Sequence, residues 1–423
     1  MACLAVALAV SAVELDKAVT EDWLKSLGWI YSGGAEGASL LLGTVAGSMI
    51  AIAGTVFSMT LVALSLASSQ LGPRLLRNFM RDTANQVVLG TFVATFVYCL
   101  LVLRTIRRAD EIAFVPHLSV SIGLLLAMVS IGVLIYFIHH VSVSIQANEV
   151  VARVGREMED GIDRLFPGHL GKPGSEVSRA PSEAYLPAAF AREARPVGAL
   201  EDGYLQRIDA DALMALAAEE DLLLRLERRP GHYLVKGRAM VMVWPGDRVT
   251  ESLVDKMNAA FVFGHQRTAS QDIEFSFNQL VEIAVRALSP GINDPFTAIA
   301  CVDRLGSGLC RLARRNTPSA LRFDPHGRLR LVAPGSSFAG IVDTAFNQIR
   351  QSARSNPAVS IRMLDAIVQI AGHVQRLPDA DCLQRHACMI VRGAREAVPE
   401  ADDLLAVEVA FTAAIEALRE LED

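Results

Sequence analysis

The chain has 423 residues, 52% of them hydrophobic, with 40 Lys and Arg against 46 Asp and Glu and a formal net charge of −6. That length suits two or three domains, and the absence of any basic run argues against nucleic acid as a partner. The six cysteines, Cys3, Cys99, Cys301, Cys310, Cys382 and Cys388, show no C-x-x-C spacing, which argues against a disulfide framework and points to free thiols in a reducing compartment.

Met1–Val13 is almost wholly apolar, yet a helix of that length spans only about 20 Å. It carries no basic n-region, so it makes a poor signal peptide. It reads as the outer half of a first spanning helix whose start is missing, the alternative being a short, weakly inserted segment. Glu14–Glu36 follows with five acidic side chains, two lysines and the aromatics Trp23, Trp29 and Tyr31. Such aromatics suit the lipid–water boundary, and this loop is expected outside.

Gly37–Pro73 runs for 37 residues without a charged side chain. A helix crossing roughly 30 Å of hydrocarbon needs about 20 such residues, so the second span projects beyond the bilayer at its far end. Arg74, Arg77 and Arg81 form a basic inner turn. Val87–Leu103 is the third span, Arg104–Glu111 the outer return, and Pro116 opens the fourth span, which ends near His139 and His140. Lysine and arginine counts in the loops lean only faintly toward both termini inside. The long thiol-bearing tail strengthens that orientation. No Asp, Glu, Lys or Arg is placed deep within a span, which argues against a proton-coupled pump.

Small residues recur in the second span at Gly43, Gly47, Ala51, Gly54 and Ser58, with hydroxyls at Thr44, Ser48, Thr55, Thr60 and Ser65. Small-xxx-small spacing lets helix backbones approach in lipid. The hydroxyls either line a path for ions or a small solute, or they bond neighbouring helices and their own carbonyls. Packing is the simpler reading. Gly43, Gly47, Ser48, Gly54, Thr55 and Ser58 are therefore candidate packing or pore-lining residues.

Beyond the fourth span the helix is expected to continue as a stalk over 141–166. Val151, Val154, Met158, Ile162 and Leu165 recur at three- and four-residue steps, either as an oligomer seam or as a stripe packed on the same chain. Pro167–Val197, dense in Pro, Gly, Ser and Ala, reads as a mobile linker. Over 198–248 a small β-barrel-like module is expected. It holds strands at Tyr204–Ile208 and Leu222–Glu227, a helix at Asp209–Glu219 capped by Asp209, and a hairpin from Gly231 to Val243 with turns at Gly231 and Gly237. That hairpin resembles the turn-rich half of biotinyl and lipoyl carrier domains. It departs from them because no lysine stands between Met240 and Met242, so a scaffold without a prosthetic group is implied.

The remainder, 249–423, reads as a helical bundle. Its helices are predicted at Glu251–Phe263, Gln271–Leu288, Pro295–Arg314, Phe338–Arg354, Ala358–Arg376, Ala380–Glu396 and Asp402–Leu421. Asp294 before Pro295 is an N-cap followed by an N1 proline, and Ser336 or Ser337 caps the next helix. Leu321–Val332 is a short hairpin turned at Asp324–Gly327. The fold class is thus mainly α: a multi-spanning helical membrane domain over 1–140, plus a cytoplasmic tail with a small β-barrel-like module and a helical bundle.

Six blocks together are similar to one family. They are Ala46–Ile50 with Thr60–Gln70, Pro73–Asp82, Phe92–Arg104, Phe114–Ser119, Ile135–His140 and Arg286–Thr297, the last reading Arg-Ala-Leu-Ser-Pro-Gly-Ile-Asn-Asp-Pro-Phe-Thr. The chain resembles the bacterial predicted membrane proteins called domain of unknown function 2254 over nearly its whole length. The resemblance implies a multi-spanning inner-membrane protein with a large soluble tail and transfers no chemistry. The family's first helix is cut short here.

Ser289–Thr297 is the most suggestive polar cluster. Asn293 and Asp294, with Arg267, Asp272 and Arg286, could form a pocket for an anion or small metabolite, the plainer reading being a helix cap with surface pairs. His139 and His140 diverge on a helix and suit interface anchoring rather than a metal. His386 and Cys388 stand two apart, poor geometry for a helix-borne metal site. No phosphate loop, nucleophile elbow or H-E-x-x-H is present, so no enzyme, metal or cofactor is expected. The expected function is an oligomeric channel or transport-like protein in contact with membrane lipid. The alternative is a non-enzymatic membrane-anchored scaffold or sensor whose tail binds a ligand or partner.

Overall fold

The computed structural model describes residues 1–18, 30–71, 83–107, 114–144, 146–166, 182–315 and 318–420. Trp23 and Trp29, the basic turn of Arg74, Arg77 and Arg81, the tip of the outer return and most of the expected linker lie outside the described residues. The chain divides into two compact units, Met1–Glu149 and Val150–Asp423.

The first unit holds four helices: α1 (Ala2–Ala18), α2 (Ala35–Leu71), α3 (Thr83–Thr105) and α4 (His117–Ser144). Three of these, α2, α3 and α4, are long and apolar enough to cross a membrane. The partial first span expected at Met1–Val13 is not among them: α1 has 17 residues, about 25 Å of helix, short of a full crossing. It also runs through Glu14, Asp16 and Lys17, which the sequence reading assigned to a loop. Only 28–33% of each spanning window is covered by the chain itself. Apolar surface on that scale requires lipid or further protein.

The interior of this unit is filled in two layers. Ala5, Ala9 and Val13 of α1 close against Leu42 and Ala46 of α2, Tyr98 and Val102 of α3 and Val120 of α4. Further along, Met49, Ala53 and Val56 meet Val88, Phe92 and Phe137. Interhelical hydrogen bonds add to the packing where lipid offers none. Tyr98 Oη donates to the Ser119 carbonyl at 2.9 Å, and the Thr95 and Ser130 hydroxyls pair at 3.1 Å. The return from α3 to α4 is pinned by Arg107 N donating to Phe114 O at 3.3 Å. At that end His117 Nδ1 meets the Tyr31 carbonyl at 2.7 Å.

The second unit opens with α5 (Ala147–Leu165), a separate helix beginning after the end of α4 at Ser144. Val151, Val154, Met158 and Ile162 are buried. Arg311 and Arg315 of α10 (Pro295–Ala313 and its cap region) hold Asp163, and Arg315 also donates to the Phe166 carbonyl at 2.7 Å. The stripe therefore packs on the same chain, and the oligomer-seam option is set aside. Past a 3₁₀ turn at Ser182–Tyr185 and a single turn α6 (Phe190–Glu193), the expected linker ends in β1 (Arg195–Gly198), a paired edge strand.

The remaining elements are β2 (Gly203–Ile208), α7 (Ala210–Glu219), β3 (Leu223–Leu226), β4 (Tyr233–Leu234), β5 (Ala239–Trp244), α8 (Glu251–Ala259), β6 (Phe261–Gly264), α9 (Ile273–Ala287), α10, β7 (Leu321–Phe323), β8 (Leu329–Val332), α11 (Phe338–Ser352), α12 (Pro357–Ala371), α13 (Leu377–Ala397) and α14 (Ala401–Arg419). The barrel expected over 198–248 is not confirmed. The strands form two sheets, ordered β1-β5-β3-β8-β7 and β4-β2-β6. Gly231 and Gly237 do turn the chain, at φ +95° and +83°, and a Cβ at Gly231 would strike the Asp272 carboxylate. Yet β4 and β5 belong to different sheets and do not pair as a hairpin. The β7–β8 hairpin is present, and β8 also runs parallel to β3.

Phe261–Phe263, read as the end of a helix, forms β6 against β2. An aromatic–β-branched–aromatic triplet suits a pleated edge at least as well as a helix turn. Predicted caps are present: Asp209, Asp294 and Ser337 each accept a hydrogen bond from the first turn of their helices, and Asp272, read as inside its helix, does the same. In the bundle α9 packs with α10 and α11, α10 with α12, and α13 and α14 with α12.

Candidate functional site

A helix turns about 100° per residue, so Gly43, Gly47 and Gly54 fall within about 40° of one another. Thr44, Ser48 and Thr55 lie beside them, with Ala51 and Ser58 between, and the whole set occupies about 140° of arc. Every one of these eight side chains is exposed. The opposite face, Ala38, Leu42, Ala46, Met49, Ala53 and Val56, is buried against α1, α3 and α4. A Cβ built at Gly43, Gly47 or Gly54 would meet nothing within 4 Å. Among the described residues, the glycines are thus not used for packing.

Three hydroxyls of this arc are satisfied locally. Thr44 donates to Leu40 O at 2.7 Å, Ser48 to Thr44 O at 2.8 Å and Thr55 to Ala51 O at 3.1 Å. That back-bonding hides the donors while leaving oxygen lone pairs directed outward. Lipid-facing helix surfaces are ordinarily built from large apolar residues, whereas small and hydroxylated arcs mark helix contacts.

The polar turn between α9 and α10 is knit from within. Asn293 adopts φ +51°. Asp294 accepts from Thr297 N at 3.1 Å and from Thr297 Oγ1 at 2.5 Å, and Ser289 Oγ donates to Arg286 O at 2.6 Å. Arg267 and Asp272 pair elsewhere, through two hydrogen bonds of 2.8 and 3.0 Å, with Asp272 capping α9. Asp272 begins this 15-residue helix and Arg286 lies in its last turn, so they are about 20 Å apart. The structure separates the five residues into two clusters at opposite ends of α9. Burial of the Arg267–Asp272 pair and the Thr297 cap accounts for both.

Two constellations lie outside the sequence reading. Asp16, 8% exposed, reaches from α1 to the start of α4, where it accepts from Leu118 N, Ser119 N and Ser119 Oγ at 2.9, 2.8 and 2.6 Å. A buried charge does therefore sit in the membrane unit, at a helix N-terminus that stabilises it. In the second unit His386 pairs not with Cys388 but with Cys382, one turn earlier on α13. Asp343 of α11 completes a group whose donor atoms all lie within 4.8 Å of one another. The i, i+4 spacing of Cys382 and His386 was the available signal.

Three helices long and apolar enough to cross a membrane, mostly uncovered by the described residues, fit a membrane protein. The chain belongs to the family of predicted membrane proteins called domain of unknown function 2254, which matches residues 1–369. It is 34% identical to the uncharacterized protein Rv1290c of Mycobacterium tuberculosis over 379 residues, covering 87% of this chain and 70% of that one. The same figures hold for the uncharacterized protein Mb1321c of Mycobacterium bovis. No solved structure matches significantly.

Proposed function

We propose that the protein is a non-enzymatic, homo-oligomeric channel or transport-like protein of the bacterial inner membrane, assembled through the small-residue arc of α2. The glycine edge of the arc supplies the contact between copies, and the hydroxyl edge borders a path for an ion or small solute. The observation that carries this reading is the exposure of the arc, with open space over Gly43, Gly47 and Gly54. The filled interior of the unit supports placing any path between copies rather than within one. This reading puts the second unit in the cytoplasm, consistent with its four free cysteines, Cys301, Cys310, Cys382 and Cys388.

The scaffold or sensor reading has less support, because Ser289, Asp294 and Thr297 of its motivating turn bond locally. The test is twofold. Gly47→Cys in native membranes should give a symmetric disulfide dimer on oxidation, and purified protein in liposomes should conduct ions or release a small solute. A chain that stays monomeric at every arc position would sink the assembly. Assembled protein without flux would sink the path.

A further inference from the structure

We propose that Asp343, Cys382 and His386 form a binding site for one divalent transition-metal ion of the zinc class. The site is built on two packed helices. On α13, Cys382 and His386 are four residues apart, so both side chains leave one face. α11 lies alongside and presents Asp343, whose Oδ1 is 2.8 Å from His386 Nε2. Thiolate, imidazole and carboxylate form a donor set suited to zinc, with three protein ligands and one open position.

The spacing is close to what coordination needs. Bonds of about 2.0–2.3 Å in a tetrahedral shell put donors roughly 3.3–3.5 Å apart. The three atoms already fall within 4.8 Å of one another, so side-chain rotations suffice and the helices need not move. Cys388, two residues past His386, points away from this face.

One observation indicates a cation here. His386 is fully buried beside the Phe346 ring, 5.7 Å between centroids, and offers a metal Nε2, the nitrogen that faces Asp343. The Arg385 guanidinium bridges two of the three donors, with Nη2 2.7 Å from Asp343 Oδ1 and 3.6 Å from Cys382 Sγ. It supplies positive charge where a metal ion would sit. Arg385 is half exposed and can swing into solvent, exchanging one cation for another. Asp343, 39% exposed at its side chain, provides the way in. Cys382 and His386 lie beyond the residues that the family matches, so the site is a property of this chain's own bundle.

Cobalt(II) titration of the full chain in detergent tests the site, since a cobalt–thiolate bond adds a charge-transfer band and tetrahedral geometry intensifies the visible bands. About one cobalt per chain is expected, displaced by zinc. Cys382→Ser should lose the charge-transfer band, Cys388→Ser should keep it, and His386→Gln should weaken binding by more than about tenfold. Arg385→Ala, at an exposed position that does not threaten folding, should bind cobalt more tightly because the resident cation is gone. No thiolate band in folded wild-type protein and in Arg385→Ala would overturn the site. So would a band that survives Cys382→Ser and vanishes in Cys388→Ser.

Discussion

Asp16 of α1 and Ser119 of α4, 103 residues apart in the chain, are joined by two hydrogen bonds of 2.8 and 2.6 Å. The carboxylate caps α4 in place of a local side chain, since the residue before the helix is Pro116 followed by His117. Removing it leaves N–H groups at the start of α4 without a partner. Asp16→Ala should cost about 2 kcal/mol, the upper end for a lost cap, read as easier SDS-induced unfolding in mixed micelles. Asp16→Asn, which keeps an acceptor oxygen, should cost less.

The open face of α2 separates assembly from folding. Gly47→Leu places its side chain in empty space, so the monomer should melt as wild type. Self-association should weaken about tenfold, on the scale of one helix–helix contact in lipid. Gly123→Leu supplies the opposite case: its Cβ would meet Leu42 Cδ2 at 2.9 Å. Overpacking there should cost about 2 kcal/mol of fold stability. Gel filtration in detergent together with melting curves distinguishes the two effects.

The two acidic caps of α9 and α10 should differ in weight. Asp272→Ala removes a cap and strands Arg267, whose partner is 4% exposed at its side chain. A loss of about 3 kcal/mol is expected, as for a broken buried pair. Asp294→Ala removes a cap and the Thr297 hydroxyl's partner but breaks no ion pair, and should cost about 1 kcal/mol. Melting temperatures of the full-length variants check the order.

His232 accepts a hydrogen bond from Arg229 Nε at 3.3 Å. Burial, then the charges of Arg229 and Arg228, hold its pKa below the usual histidine value. The unfolded chain therefore takes up a proton before the folded one does as pH falls. Stability is full above about pH 7 and declines as pH drops through the ordinary histidine range, near about 6.5, toward the lowered folded value. His232→Gln should show a smaller loss of melting temperature between those conditions. Equal pH dependence in both proteins would remove His232 from the account.

Elements governed by short-range chemistry could be read directly. Asp209, Asp294 and Ser337 cap helices because a side-chain oxygen reaches an N–H three residues on. Gly231 and Gly237 turn the chain because their backbone needs positive φ. Helix ends without such a signal drifted: α12 stops at Ala371, short of the expected Arg376, and Phe261–Phe263 went to a strand. The pairing of β8 with β3, about 100 residues apart, had no local mark. Of the candidate residues, the α2 small-residue arc was legible as a periodicity, whereas the split of Arg267 and Asp272 from Asn293 and Asp294 was not.

The order of residues alone determined that α2, α3 and α4 are long and apolar enough to cross a membrane, because that depends only on the length of an uncharged run. It also determined the helical texture of the tail and its caps, since these depend on neighbours within four positions. Only the tertiary structure decided which side of α2 stays open, that Asp16 serves a helix from another part of the chain, and that Asp343 meets Cys382 and His386. Those outcomes depend on which helix faces pack together. That choice is made by burial summed over many distant side chains, and no single stretch of sequence carries it.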